Sequence, residues 1–241
     1  MTESACAEAL RIVRSIEACF ASGRPATGSA FVAAPNRLIT CAHVVRNDSG
    51  QTANRVIVKT REGTQYDATV GPLDRSHDLA VLEAQAEIAP APSIERTSPP
   101  IGRSLVFAGQ PRGVRRPAIF PAVVSDIGDS LIRSPRGKLI QLAGMINNGN
   151  SGGPVLDSTN GGVVGVITAK YVPLLAEIDK LTQALRGIPQ IPSSVGLGEV
   201  DFAKFVNLTI QSLFQVGAVL RLVQVGTGWA VPSEFFSTVG V

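Results

Sequence analysis

Residues 147–155 read NNGNSGGPV. Around one serine, Ser151, the chain places Gly149, Gly152 and Gly153 and then closes with Pro154. Glycine opens backbone conformations at an entropic cost and proline removes an amide donor. A cluster of both therefore marks backbone held in a specific shape, not the interior of a helix or strand. A surface turn is the plain explanation, and a chain with 24 glycines and 16 prolines has many turns. This one differs in placing a hydroxyl nucleophile between glycines on both sides.

Outward from that stretch the chain is a series of short apolar runs separated by turn signals. GSAFVA, RLITCA, RVIVKT, YDATVG and LAVLEA follow one another from Gly28. After residues 85–103, which hold four prolines and little periodicity, come SLVFAG, PAIFPAVVSDI, KLIQLA, GPVLD and GGVVGVITA. Short strands in two sets joined by a proline-rich link predict an all-β fold with added helices: two packed six-stranded antiparallel β-barrels, an N-terminal helix and a C-terminal helical segment. The expected divisions are a helix within 1–21, a first barrel over 22–88, a linker over 89–103 and a second barrel over 104–205 with a helical insertion at 172–188. A helix and tail over 206–241 complete them. The N-terminal helix rests on Ile12, Val13, Ile16, Cys19 and Phe20 at helical spacing, and the insertion on Leu174, Leu175, Ile178, Leu181, Leu185 and Ile188. DFAKFVNLTIQSLF has the same period, whereas residues 215–241 are apolar without one.

Composition narrows the function classes. Hydrophobic residues make up 44% of the 241, enough for a real core. The net charge is only +3, and Arg112, Arg115, Arg116, Arg133, Arg136 and Lys138 sit among glycines and prolines without interleaved aromatics, which argues against nucleic-acid binding. Cys6, Cys19 and Cys41 are an odd number without close spacing, so neither a disulfide framework nor a metal site is indicated. With no signal-peptide pattern at the start, this suggests a cytoplasmic protein. The apolar stretch Val206–Leu220 is too short and too polar to span a bilayer, so no membrane association is expected.

A serine hydroxyl needs a base within reach and a buried acid to orient that base. The chain has two histidines. His43 lies in LITCAHVV directly after an apolar strand, where a loop at a barrel rim would hold it; His77 adjoins Asp78 in SHDLAVL and is read as a loop residue, not a second base. The order His43, Asp78, Ser151 places base and acid in the first barrel and the nucleophile in the second.

TCAHVV, DLAVL and GNSGGPV together resemble the trypsin-like serine peptidases, closest to the HtrA-like bacterial branch, over roughly residues 27–200. The resemblance implies an endopeptidase acting through an acyl-enzyme, with Ser151 as nucleophile, His43 as base and then acid, and Asp78 orienting the imidazole. It also implies an oxyanion hole from the turn Gly149, Asn150 and Ser151, with the N–H groups of Gly149 and Ser151 as donors. Thr168 is expected beside Asp78, and a primary pocket at Met145, Thr168, Ala169 and Lys170. No cofactor is implied, and the partner is a protein or peptide substrate. Met145 offers no acid to a basic P1 side chain, so small or medium aliphatic P1 residues are expected, with Lys170 leaving room for acidic ones.

The chain departs from the family in places. Asn150 stands where secreted trypsins carry the aspartate that pairs with a newly cut N-terminus, so activation by that route is not expected. Ala30 replaces the second glycine of the GSGF pattern, and the residues after Phe205 are too few for a PDZ module. Residues 172–188 and 217–241 lie outside the family core, which suggests control by a regulatory partner or a fused domain. Cys41 is expected to be a buried small hydrophobe. A catalytically idle, peptide-binding module of the same fold is the alternative; an esterase would carry its serine on an α/β-hydrolase sheet, which these strands do not build.

Overall fold

The computed structural model describes residues 2–47, 49–85, 90–129, 137–170, 183, 196–197, 200–220 and 225–241. They divide into two compact units, one of 1–171 with 225–241 and one of 172–224.

The first unit holds two closed antiparallel barrels of six strands each. Barrel one comprises β1 (Val13–Cys19), β2 (Ala26–Ala34), β3 (Arg37–Cys41), β4 (Arg55–Lys59), β5 (Gln65–Asp74) and β6 (Leu79–Ala84). Its order is β1-β2-β3-β6-β5-β4, closed by β1 against β4 with Ile16 opposite Val58. Barrel two comprises β7 (Ser104–Gly109), β8 (Ala118–Asp129), β9 (Lys138–Ile146), β10 (Pro154–Asp157), β11 (Val163–Lys170) and β14 (Val225–Pro232). Its order is β10-β11-β14-β9-β8-β7, closed by β10 against β7 with Val155 opposite Phe107. Closure leaves no sheet edge exposed.

Two segments differ from the expectation, and each supplies a barrel's sixth strand. The N-terminal helix α1 covers only Glu3–Ile12. Thr2 caps it, its Oγ1 accepting from Ala5 N, and Ala5, Ala9 and Ile12 form its buried face. Residues 13–19 are strand β1, with Arg14, Ile16 and Ala18 buried and Ser15, Glu17 and Cys19 less so. Arg14 hides this alternation in the sequence: its guanidinium donates to the carbonyls of Arg11 and Val13, which lets a charged residue occupy an inward position. At the other end, residues 225–232 are not part of a tail. They form β14, between β9 and β11, with Trp229, Ala230 and Val231 buried.

After β14 a 3-10 turn, Ser233–Val239, crosses back to barrel one. Phe236 is fully buried there with its ring 6.0 Å from that of Phe31. Burial on this scale contributes about 1.5–3 kcal/mol, enough to fix a short chain end. In barrel two the core gathers Leu105, Phe107, Ile140, Leu142, Val155 and Ile167.

In the second unit the strands β12 (Gly196–Leu197) and β13 (Val200–Asp201) pair, followed by α3 (Phe202–Leu220), longer than the predicted helical stretch. The helical insertion expected over 172–188 falls almost entirely outside the described residues. Among the described residues no helix is long and apolar enough to cross a membrane.

Candidate active site

His43 sits in the single turn α2 (Ala42–Val45), directly after β3, and Asp78 is the last turn residue before β6. Cys41 at the end of β3 pairs with Leu79 at the start of β6, so the register of one strand pair brings the two together. Asp78 adopts φ 57°, a left-handed conformation that aspartate tolerates better than most residues and that clusters at functional sites. Its carbonyl accepts from Ala42 N, while the carboxylate accepts from His43 N at 2.9 Å and lies 2.7 Å from His43 Nδ1. Thr168 Oγ1, arriving on β11, donates to the same carboxylate at 2.5 Å. Asp78 is buried, so these donors replace the water it has lost. The His43 side chain is 49% exposed.

Desolvation lowers the His43 pKa, but the hydrogen bond and charge of Asp78 outweigh it, leaving the imidazole above its ordinary value. Beneath it Cys41 is fully buried and donates Sγ–H to Ile167 O at 3.1 Å, the small apolar role expected of it. Burial, and after it the Asp78 charge, push this thiol well up. Donor atoms of Cys41, His43 and Asp78 lie within 4.8 Å of one another. A metal could use them only by breaking the His43–Asp78 bond and deprotonating a thiol that resists it.

Ser151 is carried by the glycine-rich turn between β9 and β10. Gly149 at φ 100° and Gly152 at φ 88° take backbone shapes that side chains disfavour, and a Cβ on them would strike Gln110 O and Ser29 O respectively. Three carbonyls of this turn are tied down. Asn148 O accepts from Arg112 N, Gly149 O from Ser29 Oγ, and Asn150 O from Gly153 N. In a trans peptide the N–H points opposite to the carbonyl. The N–H groups of Gly149 and Ser151 are thereby turned away from those partners, and among the described residues neither donates to a protein acceptor. Ser151 Oγ donates to Thr168 O at 3.2 Å, and no bond joins it to His43 among the described residues.

Ser29 was not legible as a site residue. It is fully buried on β2; its N donates to Ser151 O at 2.8 Å, and its Oγ donates to Gly149 O at 2.7 Å while accepting from Gln110 N at 2.9 Å. One side chain thus ties barrel one to the serine turn. Its only sequence signal is its place in GSAF, next to Ala30. Beside it a cavity of about 450 Å³ opens, lined by Thr27, Gly28, Lys59, Gln110, Pro111 and Arg112.

The residues expected to form a pocket are only partly brought into view. Thr168 is buried beside Asp78, and Met145 on β9 is 55% exposed. Ala169 and Lys170 continue β11 opposite Trp229 and Gly228, and their side chains lie outside the described residues. Asn150 is fully buried with no hydrogen-bond partner for either side-chain atom among the described residues. Replacing Asn150 by aspartate would bury a carboxylate without a cation, at about 3 kcal/mol or more. The folded-state pKa of such a group is raised, so the loss is expected to grow as pH rises above the ordinary carboxylate range. Urea unfolding at pH 4 and pH 8 checks this, with the larger deficit at pH 8.

Comparison with known proteins agrees with this geometry. Residues 28–166 match the sequence model of the trypsin-like peptidase domain. Serine protease HTRA1B of Danio rerio is 32% identical over 170 residues, 66% of this chain and 34% of that protein. Protease Do-like 1, chloroplastic, of Arabidopsis thaliana is 31% identical over 155 residues, 61% and 34% of the respective chains. The chain thus spans about a third of the length of these relatives. Among solved structures, the HtrA-type protease AlgW with tripeptide superposes with a TM-score of 0.62 at 27% identity, covering 70% of this chain and 54% of that one. The Rv3671c protease from M. tuberculosis in its active form gives 0.60 at 26%, covering 70% and 74%. With the two barrels, the serine turn and these matches in hand, the chain belongs to the trypsin-like peptidase domain family.

Proposed function

We propose that the chain is a serine endopeptidase that works through an acyl-enzyme. The observation that supports this most is the hydrogen-bonded series Thr168, Asp78, His43 standing beside Ser151, whose turn leaves the N–H groups of Gly149 and Ser151 unspent. Ser151 Oγ turns about χ1 from Thr168 O toward His43 Nε2, a step between staggered rotamers, and attacks the scissile carbonyl as His43 takes its proton. Asp78 keeps the other proton on Nδ1 and stabilises the imidazolium. The oxyanion meets the N–H groups of Gly149 and Ser151, each worth about 2.7–4 kcal/mol in the transition state. His43 returns its proton to the leaving amine, and water repeats the sequence on the acyl-enzyme. These steps require no cofactor.

The primary pocket is assigned to Met145, Thr168, Ala169 and Lys170, which disfavours P1 Arg or Lys, and the cavity at Thr27 and Arg112 to residues beyond the scissile bond. Control by a partner is proposed to act through the unit inserted between β11 and β14, since the chain enters it from the strand bearing Thr168. Residues 225–241 no longer serve as a second lever, being a barrel strand and its docked turn. A cytoplasmic site of action is supported by Cys6, Cys19 and Cys41 all being free; cell fractionation finding the chain in the periplasm would refute it.

The alternative, an idle peptide-binding module, is favoured by one observation: Ser151 Oγ is bonded to Thr168 O and not to His43. Activated ester substrates with varied P1 residues separate the two. A peptidase releases leaving group in a burst equal to the enzyme concentration, fastest for aliphatic P1; binding without any release of leaving group identifies the idle module.

The activity should also carry the signature of His43. Because its pKa is raised, kcat/KM is expected to fall on acidification with a midpoint above about 6.5, the ordinary histidine value. Stability runs the other way. A group whose folded pKa is raised stabilises the fold fully below about pH 6.5 and loses that contribution as pH rises through the folded value. The stability difference between wild type and His43→Ala should therefore shrink over the same pH window in which activity appears, as thermal melts at stepped pH would show.

A further inference from the structure

His77 takes no part in the mechanism above, yet both an edge and a face of its ring are engaged. It lies in the hairpin turn between β5 and β6, directly before Asp78, with 23% of its side chain exposed. Its Nδ1 is 2.6 Å from Asp74 Oδ2, and the other oxygen of Asp74 accepts from Ser76 N and Ser76 Oγ. Asp74 itself pairs with Leu79 at the mouth of the turn. One carboxylate therefore closes the turn from Asp74 to Asp78, an arrangement that aspartate favours at the start of turns. Burial works against its charge, but the hydrogen bonds from Ser76 and His77 prevail and hold it well below the usual carboxylate range.

A face of the His77 ring is met by the residues that follow β14. Phe235 stacks on it with centroids 4.2 Å apart and planes at 16°. Phe235 cannot drift, because its neighbour Phe236 is fully buried and Gly240 O accepts from Arg37 Nη1 at 2.7 Å. Residues 233–240, which follow the last strand of barrel two, thus press on the turn in barrel one that presents Asp78. The φ of 57° at Asp78 is a conformation that persists only where its surroundings fix it.

We propose that His77, clamped between Asp74 and Phe235, is a positioning residue for Asp78, and that the 3-10 turn Ser233–Val239 is thereby part of the apparatus that orients the catalytic imidazole. The proposal rests on the assignment of Asp78 and His43 made above. Loosening the clamp lets the Asp78 backbone leave its left-handed conformation, which misaims the carboxylate at His43 Nδ1 without touching the substrate cleft. The ionisable groups whose donor atoms lie within 4.8 Å of His43 are Asp78 and Cys41 among the described residues; the clamp acts on Asp78.

The test compares wild type with His77→Ala, Phe235→Ala, His77→Phe, which keeps a ring against Phe235, and His77→Asn, which keeps an N–H donor for Asp74. Expected are a fall in kcat of about tenfold to a hundredfold in the two alanine variants with KM changed by less than about twofold, and intermediate values in the other two. The acidic limb of kcat/KM should move to lower pH, because His43 loses part of the support that raises its pKa; a purely structural role would not shift it. Wild-type kcat and an unmoved limb in folded His77→Ala and Phe235→Ala would overturn the proposal. If Phe235→Ala does not fold, Phe235→Leu replaces it with the same expected outcomes. If the wild type hydrolyses nothing, the peptidase assignment fails separately, and NMR titration of His43 decides the positioning role. The chain has two histidines, so His43 is the only one left in the His77 variants. A lowered His43 pKa supports the clamp and an unchanged one refutes it.

Discussion

Replacing Ser151 by alanine is expected to remove peptide hydrolysis almost completely, by about a millionfold in kcat, while the barrels stay folded. The size follows from the way nucleophile, base and acid act as a unit: without the hydroxyl there is no acyl-enzyme, and His43 and Asp78 are left with nothing to activate. The fold should be indifferent because Ser151 Oγ makes one hydrogen bond, to Thr168 O at 3.2 Å, and the turn is held by backbone and by Ser29 instead. Removing a single long bond to a backbone carbonyl costs about 0.5–1.5 kcal/mol. Steady-state assays on a peptide substrate with matched thermal melts check both halves. Hydrolysis persisting in the variant would place the chemistry elsewhere.

Asp78→Asn should cost about ten-thousandfold in kcat with the geometry nearly intact. Asp78 meets donors on every side: His43 N, His43 Nδ1–H and Thr168 Oγ1. An amide has one oxygen where the carboxylate has two, so its NH₂ group must face a donor or force His43 to present an unprotonated Nδ1. In the second case the proton sits on Nε2, and the ring can no longer accept from Ser151. Loss of the negative charge also removes what raises the His43 pKa, so the acidic limb of the residual activity should shift to lower pH. Thr168→Val is a milder companion that spares the charge and removes one donor. Equal kcat in wild type and Asp78→Asn would show that His43 needs no orienting acid.

The architecture was legible in the sequence where short apolar runs were bounded by turn or charged residues, as in RVIVK and SLVFAG, and where turn chemistry was explicit, as in GNSGGP. It was not legible at the two strands that close the barrels. Residues 13–19 carry Arg14 at an inward position, and Val13, Ile16 and Phe20 happen to keep helical spacing, so the period of two was masked by a charged residue whose carbonyl partners only the fold reveals. Residues 225–232 read VGTGWAVP, and two glycines and a proline in eight positions are poor strand material by local preference. They become a strand because β9 and β11 flank them on both sides.

At the candidate site, His43 and Asp78 stood out in the sequence by flanking apolar runs, Ser151 by the glycines around it, and Thr168 through the family resemblance. Ser29 and the His77–Phe235 clamp did not. Their partners lie 120 and 158 positions away in the chain, and no local pattern encodes a contact of that range.

The central claim is that Ser151 is a nucleophile activated in place by His43, and a fluorophosphonate probe tests it most directly. The whole chain is treated with the probe and the adduct is mapped by peptide mass spectrometry. One adduct per molecule on Ser151, absent from Ser151→Ala and strongly slowed in His43→Ala, is the predicted result. A folded chain that stays unlabelled at Ser151, or labels there equally fast without His43, would contradict it.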